Sequence, residues 1–69
     1  MRAREIIRKK SFTNELGNKI KARVTRFDDG RKEPIRIELI GPDSTSEDNV
    51  TRQEAEVVAD LIRDALEKD

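Results

Sequence analysis

The sequence predicts an α+β fold in which a three-stranded antiparallel β-meander is followed by one C-terminal helix packed on one face of the sheet. Three observations predict it: segments in which apolar and polar residues alternate, an Asp-Gly pair between two such segments, and a helix-capping sequence before a helical repeat of apolar residues. The 69 residues are expected to form a single small domain over 1–69. The alternative architecture has an N-terminal helix, a β-hairpin and a C-terminal helix.

The first strand is predicted over residues 5–13. In the register that pairs Ile7 with Val24, the cations Arg8 and Lys10 point away from the helix. This register is favoured because the opposite one would direct both cations toward an apolar core, where burial of a charge is unfavourable. A short N-terminal helix is the alternative for the same segment.

The second and third strands are predicted over 19–27 and 33–40, with Asp29-Gly30 between them as a two-residue type I′ hairpin turn. The register that this turn sets aligns apolar residues in pairs on one face. The pairs are Val24 with Ile35, Ala22 with Ile37, and Ile20 with Leu39. On the other face, the same register sets Lys21 against Glu38 and Arg23 against Arg36.

Residues 41–50 are predicted to be a surface loop, because every residue from 41 to 49 favours turns or is polar. A helix is predicted over 51–67. Thr51 and Glu54 have the spacing of a capping box, in which each side chain accepts a hydrogen bond from the other residue's backbone N–H. Apolar residues then recur every three or four positions, which gives the helix one apolar stripe.

The composition argues against an enzyme. The chain has no Cys and no His, so it lacks thiolate nucleophiles, the commonest catalytic base and the commonest metal ligands. Acidic pairs such as Asp28-Asp29 are present, but a chain of this size has little room for a pocket that would shift their pKa values. No metal or cofactor is expected. No apolar run is long enough for a membrane span, and a cytoplasmic location is expected.

The charge layout indicates a binding module. The chain carries 15 basic and 15 acidic residues, yet residues 1–36 sum to +7 (12 basic, 5 acidic) and residues 37–69 to −7 (3 basic, 10 acidic). In the favoured register, the sheet face opposite the helix is basic, with Phe12 at its border. The predicted site residues are Arg8, Lys10, Lys19, Lys21, Arg23, Arg36 and Phe12. We expect this face to engage a polyanion, most specifically DNA or RNA.

Other interpretations of the basic face remain open. It could be a solvated surface, since lysines on exposed strands improve solubility and block edge pairing. It could also bind an acidic protein, as a regulatory or host-modulating protein would. A designed sequence with no native function is a further possibility.

The helix is expected to carry an acidic face made of Glu56, Asp60 and Asp64. Such a face is usually solvated, but it would suit a basic partner. Because it lies away from the basic sheet face, two copies could associate head to tail through opposite charges. A homodimer is therefore among the expected states of the chain.

The predicted layout resembles the small arm-type DNA-binding domains at the N-termini of phage-type tyrosine integrases. Those domains have three strands and then a helix that often opens Thr-x-x-Glu-Ala, and here that segment is Thr51-Arg52-Gln53-Glu54-Ala55. The resemblance implies that the sheet face opposite the helix enters the major groove of DNA. The sequence departs from those domains in its scarcity of aromatic residues, its zero net charge and its acidic helix. By this resemblance the groove-facing residues would be Arg8, Lys10, Lys21, Arg23 and Arg36.

Overall fold

A computed structural model describes residues 4–67, which form a four-stranded antiparallel sheet followed by one helix. The strands lie in the sheet in their sequence order. The α+β class and the single C-terminal helix are confirmed, whereas the prediction of three strands is wrong. The elements are β1 (Arg4–Thr13), β2 (Lys19–Asp28), β3 (Ile35–Ile40), β4 (Thr45–Val50) and α1 (Arg52–Glu67).

The additional strand, β4, lies within the segment that was predicted to be a loop. The backbone N–H of Gly41 donates to the carbonyl of Ser44 at 2.8 Å, which closes a tight turn between β3 and β4. The strand is polar until Val50, so it lacks the alternation that marks a strand. A polar edge strand is stable here because its ladder with β3 needs only backbone groups, and its charges discourage pairing with other chains.

The β2–β3 pairing differs from the prediction by two residues. Val24 lies opposite Ile37, and Arg23 lies opposite Glu38. The predicted turn is wrong because a type I′ turn needs a positive φ at both central residues, and only Gly30 has one, at 82°. The hairpin instead closes through a hydrogen bond of 2.8 Å from the Phe27 N–H to the Pro34 carbonyl. A shift by an even number leaves every side chain on its predicted face.

The β1–β2 register differs by one residue, so it moves the side chains of β1 to the opposite faces. Arg8 lies opposite Val24, and Phe12 lies opposite Ile20. The turn sets this register: the Asn14 side-chain oxygen accepts from the N–H groups of Leu16 and Asn18, each at 3.0 Å. The predicted register is therefore wrong. The N-terminal helix is also wrong for residues 4–10; residues 1–3 lie outside the described part.

The two registers give the sheet two distinct faces. The apolar face has most of the large hydrophobic side chains of the strands, with three cations near its β1 edge and one end. The polar face has most of the lysines, arginines and hydroxyl groups. The apolar face includes Phe12, Ile20, Val24, Ile35, Ile37 and Leu39, together with Arg8, Lys10 and Arg26; the polar face includes Lys9, Ser11, Thr13, Lys19, Lys21, Arg23, Thr25, Phe27, Arg36, Glu38 and Ile40.

Helix α1 begins with the predicted capping box. The Glu54 N–H donates to the Thr51 hydroxyl at 3.1 Å, and the Thr51 N–H donates to the Glu54 carboxylate at 2.8 Å. Near this end, Arg52 shares a cleft with the β2–β3 connection. No residue of the helix is buried. The described helix is too short and too polar to cross a membrane.

No hydrophobic side chain in the described part of the chain is fully buried; the two buried residues there are Thr25 and Glu38. The radius of gyration is 13.9 Å, whereas a compact chain of this length would have about 11 Å. The sheet and the helix therefore meet over a small area, and each leaves apolar surface exposed.

Candidate nucleic-acid interface

The observed registers divide the six cations that were predicted to share one surface. Four lie on the polar face, Lys19, Lys21, Arg23 and Arg36, and two lie on the apolar face, Arg8 and Lys10. The prediction of a single basic surface is therefore wrong. The six cations are divided because β1 is shifted by one residue, and a shift by one residue moves every side chain of a strand to the opposite face.

Arg23 is held by a bidentate ion pair with Glu38 on the neighbouring strand. Its Nε and Nη2 donate to the two carboxylate oxygens at 2.8 and 2.9 Å. Glu38 is 6% exposed, and its hydrogen bonds from Arg23 hold the pKa of the Glu38 carboxyl below its usual range. The same hydrogen bonds raise the pKa of Arg23. Two parallel hydrogen bonds of this kind hold both side chains in one orientation. Arg23 therefore has a structural role, because it links β2 to β3 through Glu38.

Arg36 is also engaged by neighbouring groups. Its Nε donates to the Asn49 side-chain oxygen at 3.2 Å and lies 4.0 Å from a carboxylate oxygen of Glu47. Its guanidinium lies 5.0 Å from the centre of the Phe27 ring, within cation–π range. Arg36 therefore ties β3 to β4 and to Phe27, which leaves it less available to a ligand.

A second guanidinium contacts the same ring. Arg31 lies 3.6 Å from the centre of Phe27, and its Nε donates to Asp29 at 2.9 Å. The hydrogen bonds from Arg31 lower the pKa of Asp29 to about 2. These contacts organise the β2–β3 connection and place two guanidinium groups against the Phe27 ring.

Three lysines on the polar face have no carboxylate partner within ion-pair distance among residues 4–67. They are Lys9, Lys19 and Lys21. Lys19 lies opposite Thr13 and Lys21 opposite Ser11, so lysines face hydroxyl groups across β1 and β2. We call these five residues the lysine corner.

The sequence pattern did not indicate Lys9, because the predicted register turned it toward the helix. The signal that could have found it is Phe12. Placing Phe12 beside the apolar residues of β2 gives β1 the observed alternation, and Lys9 then falls on the face of Lys19 and Lys21.

A shallow cleft of about 570 Å³ adjoins the lysine corner at the end of the sheet. Ile40 and Pro42 supply apolar surface, and Phe12 lines the same cleft although it lies on the apolar face. The Phe12 side chain is 40% exposed. Cations, hydroxyl groups and an accessible aromatic ring therefore meet at this end of the sheet. Phe12 was predicted at the border of the basic face, but the one-residue shift of β1 places it on the apolar face, from which it lines the cleft.

The predicted acidic residues of the helix are all exposed on α1. Asp60 lies 3.6 Å from the Arg63 guanidinium in an i,i+3 pair. Glu56, Asp60 and Asp64 follow one another at four-residue spacing, on the side of the helix away from its apolar stripe.

No group of three or more His, Cys, Asp or Glu side chains in the described range 4–67 is arranged to hold a metal ion. Comparison of the chain with protein-family models, with curated proteins and with solved structures gave no match. The function is therefore inferred from the chemistry of the lysine corner and its cleft.

Proposed function

We propose that the chain is a non-enzymatic binding module that holds a nucleic-acid strand at the lysine corner. The proposal rests on the lysine corner, where three lysines without a carboxylate partner in the described part of the chain lie on two neighbouring strands beside the hydroxyl groups of Ser11 and Thr13. The exposed Phe12 lies next to them. The other cations of the polar face already have partners, so a polyanion would gain most at this corner.

The charges suit a phosphate backbone. Lys19 and Lys21 are two residues apart on one strand, which separates their backbone positions by about 6.7 Å. Lys9 lies on the neighbouring strand, so the three ammonium groups can contact successive phosphates as point charges. The hydroxyl groups of Ser11 and Thr13 can donate further hydrogen bonds to phosphate or sugar oxygens.

The cleft favours a single strand over a duplex. Its apolar surface at Ile40 and Pro42 and the exposed ring of Phe12 can accept an unpaired base by stacking and apolar contact. A duplex keeps its bases stacked internally and would use only the phosphate contacts. Single-stranded DNA or RNA therefore makes fuller use of the residues at this end of the sheet.

This proposal differs from the groove-binding mode that the arm-type resemblance implies. That mode needs Arg8 and Lys10 beside Lys21, Arg23 and Arg36, and the β1 register puts the first two on the other face. Arg23 is also held by Glu38. We propose that Arg23 and Arg36 hold neighbouring strands together and that the three lysines contact the phosphates.

The test is a titration with a mixed-sequence single strand at low salt, followed by NMR chemical shifts. Shifts should cluster at Lys9, Lys19 and Lys21, and the slope of log K against log salt should be about −2 for three phosphate contacts. The double variant Lys19→Glu/Lys21→Glu should weaken binding at least roughly tenfold.

The matched control is Arg8→Glu/Lys10→Glu, which makes the same change of net charge on the apolar face. It should weaken binding much less than the Lys19→Glu/Lys21→Glu variant. Equal losses in the two variants would show that only net charge matters and would overturn the assignment to the corner. If neither single strand nor duplex binds, and an acidic protein shifts the same lysines, the protein-partner interpretation replaces this one.

A further inference from the structure

We propose that two copies of the chain form a symmetric dimer in which α1 of each copy lies on the apolar sheet face of the other. Two apolar surfaces of the same chain motivate the proposal. At the centre of the sheet, Val24 is 42% exposed and Leu39 50% exposed. On the helix, Leu61 and Ile62 are 63% and 55% exposed. The sheet face and the helix stripe are both apolar and exposed, so each could be buried against the other in a second copy.

The exposed area matches what a stable dimer buries. Folded monomers of 8.0 kDa expose about 4,450 Å². This chain exposes 6217 Å², which is an excess of roughly 1,800 Å² over that expectation. Standard interfaces bury about 800 Å² per partner, and obligate dimers roughly 1,000–2,500 Å². The excess is therefore in the range of an obligate dimer.

The apolar stripe of α1 is wider than one sheet contact needs. At 100° per residue, its apolar positions span an arc of about 180°, whereas a helix lying on one surface needs an arc of about 100°. A dimer provides two surfaces, the partner's sheet and the partner's helix. The stripe contains Ala55, Val57, Val58, Leu61, Ile62 and Leu66.

The charges of the two surfaces are complementary. Helix α1 carries five carboxylates and two guanidinium groups. The apolar face carries the cations Arg8, Lys10 and Arg26 near its β1 edge and one end. Its two described carboxylates, Asp28 and Asp48, lie beside Arg26 and on the β4 edge, so the basic part of this face is the β1 edge. A partner helix lying across this face would bring its acidic flank near these cations, which favours the reciprocal arrangement over a contact between two helices alone.

The connection between sheet and helix favours a second copy over closure within one chain. Thr51 is the single residue between β4 and α1. Its hydroxyl and its N–H are both engaged with Glu54 in the capping box. The one-residue connection limits the directions in which the helix can leave the sheet, and in this structure the helix leaves Val24 and Leu39 of its own sheet exposed.

Sedimentation equilibrium of the unmodified chain gives the first test. The proposal expects a species of about 16 kDa, twice the chain mass of 8.0 kDa, at micromolar concentration and above. A mass of 8.0 kDa throughout, up to millimolar concentration, would overturn it. A dimer in which isotope-filtered NOEs connect only sheet to sheet would also overturn the arrangement, and this measurement needs no variant.

Complementation of variants gives the second test. Leu61→Lys/Ile62→Lys disables the helix surface and Val24→Lys/Leu39→Lys disables the sheet surface, so each should raise the dissociation constant of its own dimer at least roughly tenfold. When the two variants are mixed, the intact helix of the sheet variant can lie on the intact sheet face of the helix variant. A heterodimer should therefore form. Leu16→Lys is the matched control, because Leu16 is 84% exposed in the β1–β2 turn; it should leave the mass unchanged. Absence of complementation between folded variants would contradict the reciprocal arrangement.

Discussion

Glu38 shows at the residue scale how a small error of register changes the role of a side chain. The sequence predicted that Arg23 lies opposite Arg36. In that register Arg23 would have no acidic partner and could bind a polyanion. The two-residue shift instead sets Arg23 against Glu38, and the resulting ion pair accounts for one of the two buried residues of the described chain. For β2 and β3, alternation predicted which residues share a face, but it could not predict which of them are partners, because the partner depends on the length of the turn.

We predict that Glu38→Gln reduces the pH dependence of stability. The pKa of Glu38 is lowered in the folded state, so its stabilising contribution is present above the pKa of the unfolded carboxyl. This contribution is lost as the pH falls through the lowered folded value. The variant should melt at a lower temperature than the native chain near neutral pH, and the difference should shrink on acidification.

Thermal melts at several pH values from neutral to about 3 measure this effect. Glu15→Gln is the control, since Glu15 is exposed in the β1–β2 turn and makes no ion pair in the described part of the chain. A difference between the native chain and Glu38→Gln that stays constant across this range would contradict the assigned role of the ion pair.

At the scale of elements, the sequence predicted correctly those features that depend only on residues close together in the chain. The start of α1 depends on Thr51 and Glu54 alone, and the capping box is observed as predicted. The strand β4 has no local signature and depends on backbone pairing with β3. The register of β1 was predicted wrongly because a closed apolar core would make burial of the Arg8 charge costly. The apolar face is open in the single chain, so that cost does not arise.

We predict that Thr51→Ala destabilises the chain by about 1 kcal/mol, because the first turn of α1 loses the acceptor for the Glu54 N–H. Urea unfolding followed by circular dichroism measures the loss. Thr51→Ser retains the hydroxyl oxygen and should keep most of the stability. An alanine variant as stable as the serine variant would contradict the capping role.

At the scale of the whole molecule, we propose that assembly and nucleic-acid binding use opposite faces of the sheet, with Phe12 at the border between them. In this proposal the apolar face and the helix supply the surfaces for assembly, and the polar face carries the lysine corner. The zero net charge of the chain conceals this division, because the acidic helix offsets the basic strands. In the proposed dimer, the partner helix covers the centre of the apolar face, and the corners on the opposite faces remain open to ligand.

The central claim is that assembly and nucleic-acid binding use different surfaces, and native mass spectrometry tests it most directly. The chain is measured alone and with a short mixed-sequence single strand at low salt. The account predicts two chains without the strand and two chains with the strand bound. Complexes of one chain with one strand, formed as the dimer disappears, would show that both partners compete for the same surface and would contradict the account.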